Sequence, residues 1–175
     1  MDKLFAVYLG GEAKGATLEV HDVAFVIGPD IKSTFQQLRE LWFGTPDSIH
    51  IDSWAEITHV DGFKVTLSKK PATDSLNKLY FINVGSYTST RFGENHYFLF
   101  RVFPSEQEAK TKAKAMITAQ GDNFAHTDNI FEVDSVKEIS KVRGLHVVLE
   151  KTYGAEEIKF TNVYWPLDKD KPVFG

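Results

Sequence analysis

Four short spacings hold the residues with the most chemistry: Glu19-x-His21 and His50-x-Asp52, then Glu94-x-His96 and His126-x-Asp128. On a strand, residues two apart leave the same face, so each imidazole can act together with its carboxylate. Imidazole and carboxylate are suitable ligands for zinc, iron or manganese, and a histidine oriented by a carboxylate is the usual general base. His21, His50 and Asp52 are the metal-ligand candidates, and all eight residues are candidates for binding a ligand. The same pairs also have a structural explanation, with each imidazole satisfied by a carboxylate or a backbone carbonyl and each aspartate holding a turn. The structural explanation is the simpler one, so no cofactor is expected. A divalent metal is the alternative.

Other segments carry weaker signals. Gly10-Gly11-Glu12-Ala13-Lys14-Gly15 resembles a phosphate-cradling loop, but a strand follows where a helix N-terminus would be needed, so a wide hairpin turn is expected. In the counterpart segment from Ser86 to Arg91, Tyr87 and Arg91 could contact a ligand if it faced a pocket, although a solvated loop is the simpler reading. Phe35, Trp42 and Phe43 are expected in the core, and Lys110, Lys112 and Lys114 on a solvated face.

Composition narrows the classes of function. The 175 residues are 42% hydrophobic and 25% charged, enough for a sizeable core. With 14 Phe, 6 Tyr and 3 Trp, packed sheets are favoured over a helical bundle. A net charge of −4 with interspersed signs argues against nucleic acid and anionic membranes as partners. The absence of cysteine excludes disulfides, thiol nucleophiles and Cys-ligated metals. No long apolar window or signal-peptide profile is present, so a cytosolic location is expected.

The elements that must position the paired residues come from an internal repeat. Leu4–Gly10 aligns with Leu79–Gly85, and the same offset brings Glu19 onto Glu94, His21 onto His96 and Pro29 onto Pro104. Further along, His50 registers with His126, Asp52 with Asp128, Glu56 with Glu132 and Gly62 with Gly144, once one extra residue and then a longer insertion are allowed. The expected division is a first repeat over 1–70, a linker over 71–77, a second repeat over 78–151 and a C-terminal strand and tail over 152–175. In the first repeat, strands are predicted at Leu4–Leu9 and Leu18–Ile27, then a helix with Ile31, Phe35, Leu38 and Trp42 on its apolar face. Two more strands follow, Ile49–Thr58 and Phe63–Lys69. In the second repeat Ser105 and Glu108 form a capping box, and Ala109, Ala113, Met116 and Ile117 mark the buried face before Gly121. Strands Ile130–Ile139 and Leu145–Lys151 complete it.

The expected fold class is therefore α+β, two tandem ββαββ repeats of β-grasp-like order packing together. The alternative counts each module as βαβββ, the order of paired glyoxalase-like modules, with Leu79–Gly85 and Ile158–Tyr164 as last strands.

Tyr8-Leu9-Gly10-Gly11, Glu19-x-His21-Asp22, Trp42-Phe43-Gly44 and His50-Ile51-Asp52-Ser53 together resemble the bacterial family known as domain of unknown function 1543, in which the module can occur twice. The resemblance implies the fold and a bacterial cytosolic setting, and brings no activity. The functional expectation is a non-catalytic module that binds a small molecule or a protein, with homo-oligomerisation open. The competing expectation is a metal-assisted or general-base enzyme using the repeated pairs.

Overall fold

A computed structural model describes residues 2–72, 76–87, 92–119, 130–153 and 157–173. His126, Asp128, Gly121, Arg91, the middle of the expected linker and the side chain of Ile117 lie outside the described residues.

The chain is α+β and its strands dominate. In the first half, β1 (Lys3–Gly11), β2 (Val20–Gly28), α1 (Phe35–Leu41), β3 (His50–Glu56), β4 (His59–Val60) and β5 (Phe63–Ser68) follow one another. The second half runs β6 (Lys78–Tyr87), β7 (Asn95–Phe103), α2 (Glu106–Ala119), β8 (Ile130–Glu138), β9 (Lys141–Val142) and β10 (Leu145–Lys151), and β11 (Phe160–Pro166) closes the chain. Every strand pairing among the described residues is antiparallel.

Three sheets result, in the orders β11-β3-β1-β2, β4-β5-β10-β9 and β7-β6-β8. A β-grasp-like roll would keep the strands of a half together, whereas β5 and β10 leave their halves and pair with each other from His146↔Ser68 to Lys151↔Phe63. β6 pairs with β7 and β8 and shares no sheet with β1, so it does not serve the first half as a last strand. β11 does join the first half, alongside β3.

The alternating side chains of the two central strands divide the core in three. Phe5, Val7 and Leu9 of β1 meet Leu38 of α1, Ile51 and Trp165. Tyr80, Ile82 and Val84 of β6 meet Ala109 and Ala113 of α2. The opposite faces of the two sheets, with Ala6, Phe25, Phe81, Phe100 and the strands of the middle sheet, form one core shared by both halves. This alternation follows from the two-residue period of a strand buried on both sides.

Local chemistry explains the ends of the elements. The Ser105 Oγ accepts the Glu108 N–H at 3.2 Å, the expected cap of α2. Asp61 with Gly62 and Arg143 with Gly144 all have positive φ, the type I′ geometry that joins β4 to β5 and β9 to β10 in two residues. The predicted start of β2 at Leu18 is too early. Leu18 is 80% exposed, and the strand begins at Val20, beyond the β1–β2 loop. Phe43, expected in the core, is 62% exposed because α1 has ended and the chain has turned outward at Trp42, which is the buried member of the pair.

Candidate functional site

Gly10 lies at the centre of the site. On one side it pairs with His21 of β2, on the other with His50 of β3, so two imidazoles flank a position that has no side chain. The register then slips by one residue, Tyr8 facing Ser53 and Leu9 facing Ile51, which leaves Asp52 as the extra residue of a β-bulge. A bulge turns a side chain away from the regular alternation, and such features are frequent beside functional sites. Glu19 stands just ahead of β2 rather than on it, and reaches the cluster from the end of the loop. The Gly10–Gly15 segment expected as one hairpin turn is divided: Gly10 and Gly11 belong to β1, and Gly15 makes the turn with φ +85°.

All four first-half candidates meet. His50 Nε2 is 2.9 Å from Glu19 Oε1 and 3.3 Å from Asp52 Oδ1. His21 Nε2 is 3.3 Å from Asp52 Oδ2 and 3.8 Å from Glu19 Oε2. Each carboxylate thus turns one oxygen toward each imidazole, closing a ring of alternating acid and base. His50 is buried, with its ring against Tyr164 and its Nδ1 3.1 Å from the Ser48 carbonyl. Because that carbonyl can only accept, Nδ1 carries a hydrogen. The His21 ring stacks on Tyr8 with centroids 5.1 Å apart. Burial, opposed by His50 and His21 and reinforced by Glu19, raises the Asp52 carboxyl above its usual range. Burial first, then the charges of Asp52 and Glu19, raises the Tyr8 phenol, which stays protonated at neutral pH.

The second half repeats the frame with different contents. Gly85 pairs with His96 of β7 and Glu132 of β8, and a bulge leaves Asp134 as the extra residue. Asp134 therefore holds the place of Asp52, and Glu132 the place of His50. This corrects the sequence register, which set Asp52 against Asp128 and His50 against His126. The whole difference in length falls ahead of β8, where α2 with 14 residues replaces α1 with 7. The ion pairs Lys3–Glu56 and Lys78–Glu138 occupy the same place in the two halves and agree with this register. Glu94, His96 and Asp134 offer ligand atoms within 4.8 Å of one another. Here, though, the Asn83 Nδ2 donates to Asp134 at 3.2 Å, and the Asn83 Oδ1 is 3.2 Å from His96 Nδ1. A neutral amide thus sits inside the second cluster. Burial and the Glu94 charge, against the pull of His96, raise the Asp134 carboxyl.

Beside His96 lies a cavity of 410 Å³ with an aromatic lining that includes Tyr8, Phe81, Phe98 and Phe100, and with Ser53, His96 and Asn162 among its polar members. Tyr8 joins it to the first cluster by stacking on His21, and also packs on Phe98 at 5.2 Å. The sequence reading missed Tyr8, Glu132 and Asp134. Tyr8 sits two positions before Gly10, the spacing that puts it on the same strand face, and this was a usable signal.

Fold and site define an antiparallel α+β protein with a histidine and carboxylate cluster at each of two equivalent bulges. Residues 16–67 match the family model described as Domain of Unknown Function (DUF1543). Over 95% of its length the chain superposes on 98% of the crystal structure of a protein Il1583 from Idiomarina loihiensis, with 30% identity and a TM-score of 0.74. The chain belongs to the DUF1543 family. Comparison with curated proteins gives no match. No described helix is long and apolar enough to cross a membrane.

Proposed function

We propose that this protein is a non-catalytic binding module that takes a small molecule with an aromatic or apolar body and a polar end. The two halves are copies of one module, the second contributing His96 of its cluster to the wall of the cleft and the first contributing Tyr8, which stacks on His21. One observation carries the reading: Tyr8 lines the 410 Å³ cavity and at the same time stacks on His21 of the cluster. Ligand pockets are typically of this kind, largely apolar, with a few polar groups that fix orientation, and of about this size. The body of the ligand lies against Phe81, Phe98 and Phe100, and its polar end faces the titratable groups.

Titration with anilinonaphthalene sulfonate, a fused aromatic with a charged end, tests the proposal. The expected result is saturable binding of one molecule per chain, weakened about tenfold or more by Ser53→Trp, which places a ring in the cavity. Non-saturable binding, or equal affinity in a folded Ser53→Trp variant, would overturn it.

A further inference from the structure

We propose that the polar end of the ligand is an ammonium group, so that the cleft takes a primary amine on an aromatic or apolar body, with His96 Nε2 and the Glu94 carboxylate receiving its hydrogens. This names the ligand class of the cleft and rests on the binding reading above. One amide fixes the hydrogens at His96. Asp134 Oδ2 can only accept, so Asn83 turns its Nδ2 to that oxygen at 3.2 Å and its Oδ1 to His96. His96 Nδ1 then faces two acceptors, Asn83 Oδ1 at 3.2 Å and Asp134 Oδ2 at 3.3 Å, and carries the ring hydrogen. Nε2 is 3.8 Å from Glu94 Oε2, beyond hydrogen-bond distance, so a second ring hydrogen would find no acceptor in that carboxylate. The neutral ring keeps a lone pair at Nε2, beside a carboxylate oxygen that also accepts.

Two acceptors at that separation are bridged by a group with several hydrogens, and an ammonium group supplies them together with a charge opposite to that of Glu94. A metal ion is the poorer occupant, because Nδ1 and Asp134 already bond to each other and to Asn83. The lining of the cavity agrees. His96 stands in its wall and, among the described residues, no Lys or Arg lines it, so an anionic end would meet no opposite charge. Carboxylate charge is felt on both sides: after burial, the charges of Asp52 and Glu19 raise the Tyr8 phenol, and that of Glu94 raises the Asp134 carboxyl. The rings suit the same ligand. Phe98 packs on Tyr8 at 5.2 Å and on Phe81 at 5.6 Å, and Phe81 packs on Phe100 at 5.5 Å, a continuous row whose faces attract cations as well as apolar groups.

The first cluster offers no such acceptor. His50 Nδ1 faces the Ser48 carbonyl and its Nε2 faces Glu19 and Asp52, while His21 Nε2 faces Asp52, so imidazoles and carboxylates there satisfy one another. The ammonium group is therefore assigned to the second cluster alone.

The test uses the whole chain and three probes with one aromatic body, naphthylmethylamine, naphthylmethanol and naphthoate, each titrated calorimetrically at low ionic strength. One amine per chain is expected, bound about tenfold tighter than the alcohol, with the carboxylate weakest. Glu94→Gln and Asp134→Asn should each cut the advantage of the amine to about threefold or less and leave the alcohol within about threefold of wild type. Circular dichroism identifies a variant that fails to fold, and the other then decides. A carboxylate bound as tightly as the amine, an advantage intact in the folded variants, or amine binding undiminished in Ser53→Trp would overturn the assignment. If the three probes bind equally, the ammonium inference falls and the cleft stands. If none binds, the cleft itself falls.

Discussion

The Val102 N–H donates to the Asp61 carboxylate at 2.7 Å, a bond that pins the β4–β5 turn of the first half to β7 of the second. Asp61 also holds a left-handed backbone with φ +50°, which aspartate and asparagine tolerate better than most residues. Asp61→Ala loses both the acceptor and that tolerance, and should cost about 2 kcal/mol in urea denaturation. Asp61→Asn keeps an acceptor oxygen and the turn preference, and should cost under about 1 kcal/mol.

Gly10→Ala and Gly85→Ala are expected to separate. The added methyl at position 10 meets His50, a buried ring fixed by the Ser48 carbonyl, so either the ring or the strand must move. At position 85 it meets the Glu94 carboxylate and Asp134 Oδ2, the far ends of two flexible side chains. Gly10→Ala should cost about 1–3 kcal/mol and Gly85→Ala less, as compared by thermal unfolding. Equal costs would mean that His50 is no more fixed than Glu94.

Leu38 is fully buried between α1 and the first sheet, while Phe43 is 62% exposed just beyond the helix. Leu38→Ala should destabilise by about 3 kcal/mol and Phe43→Ala by no more than about 0.5 kcal/mol, although the phenyl ring is the larger loss. Chemical denaturation of the two variants side by side checks the difference.

Glu40 of α1 and Arg143 of the β9–β10 turn form an exposed ion pair at 2.9 Å. The hydrogen bond from Arg143, then that from Gln36, holds the Glu40 carboxyl below the ordinary glutamate range. A lowered carboxyl contributes stability that is present above its unfolded value and is lost as pH falls through its folded one. Glu40→Gln should therefore lower Tm slightly at neutral pH, with the gap to wild type closing below about pH 4. A gap unchanged from neutral pH down to about pH 3 would show that the pair contributes nothing.

The sequence made the strands and the four converging residues legible for different reasons. Apolar runs at β1 and β6 announced strands, and Ser105 with Glu108 announced the start of α2. Glu19, His21, His50 and Asp52 were found through their alternating spacing, and the three-strand row His21, Gly10, His50 brought them together. The counterpart of Asp52 was not legible, because a longer α2 shifts the register before β8 and a bulge leaves no mark in the spacing of apolar residues. Periodicity also shows which face a strand buries and not which strand it pairs with. Phe63–Lys69 read as a strand of its own repeat, and the partner of the observed β5 is Leu145–Lys151. The exposure of Phe43 was hidden for a similar reason. Its helical spacing continued past the residue where the backbone left the helix.

The interlacing of β5 with β10 and of β3 with β11 has a consequence for synthesis. When the first half has emerged from the ribosome, β3 and β5 each still present an open hydrogen-bonding edge, and the strands that cover them are translated last. Such long-range pairings form slowly, and uncovered edges invite pairing with other chains. The chain must therefore complete its fold after nearly all of it has been made, and the nascent first half is the stage at which a chaperone or a neighbouring nascent chain can intervene.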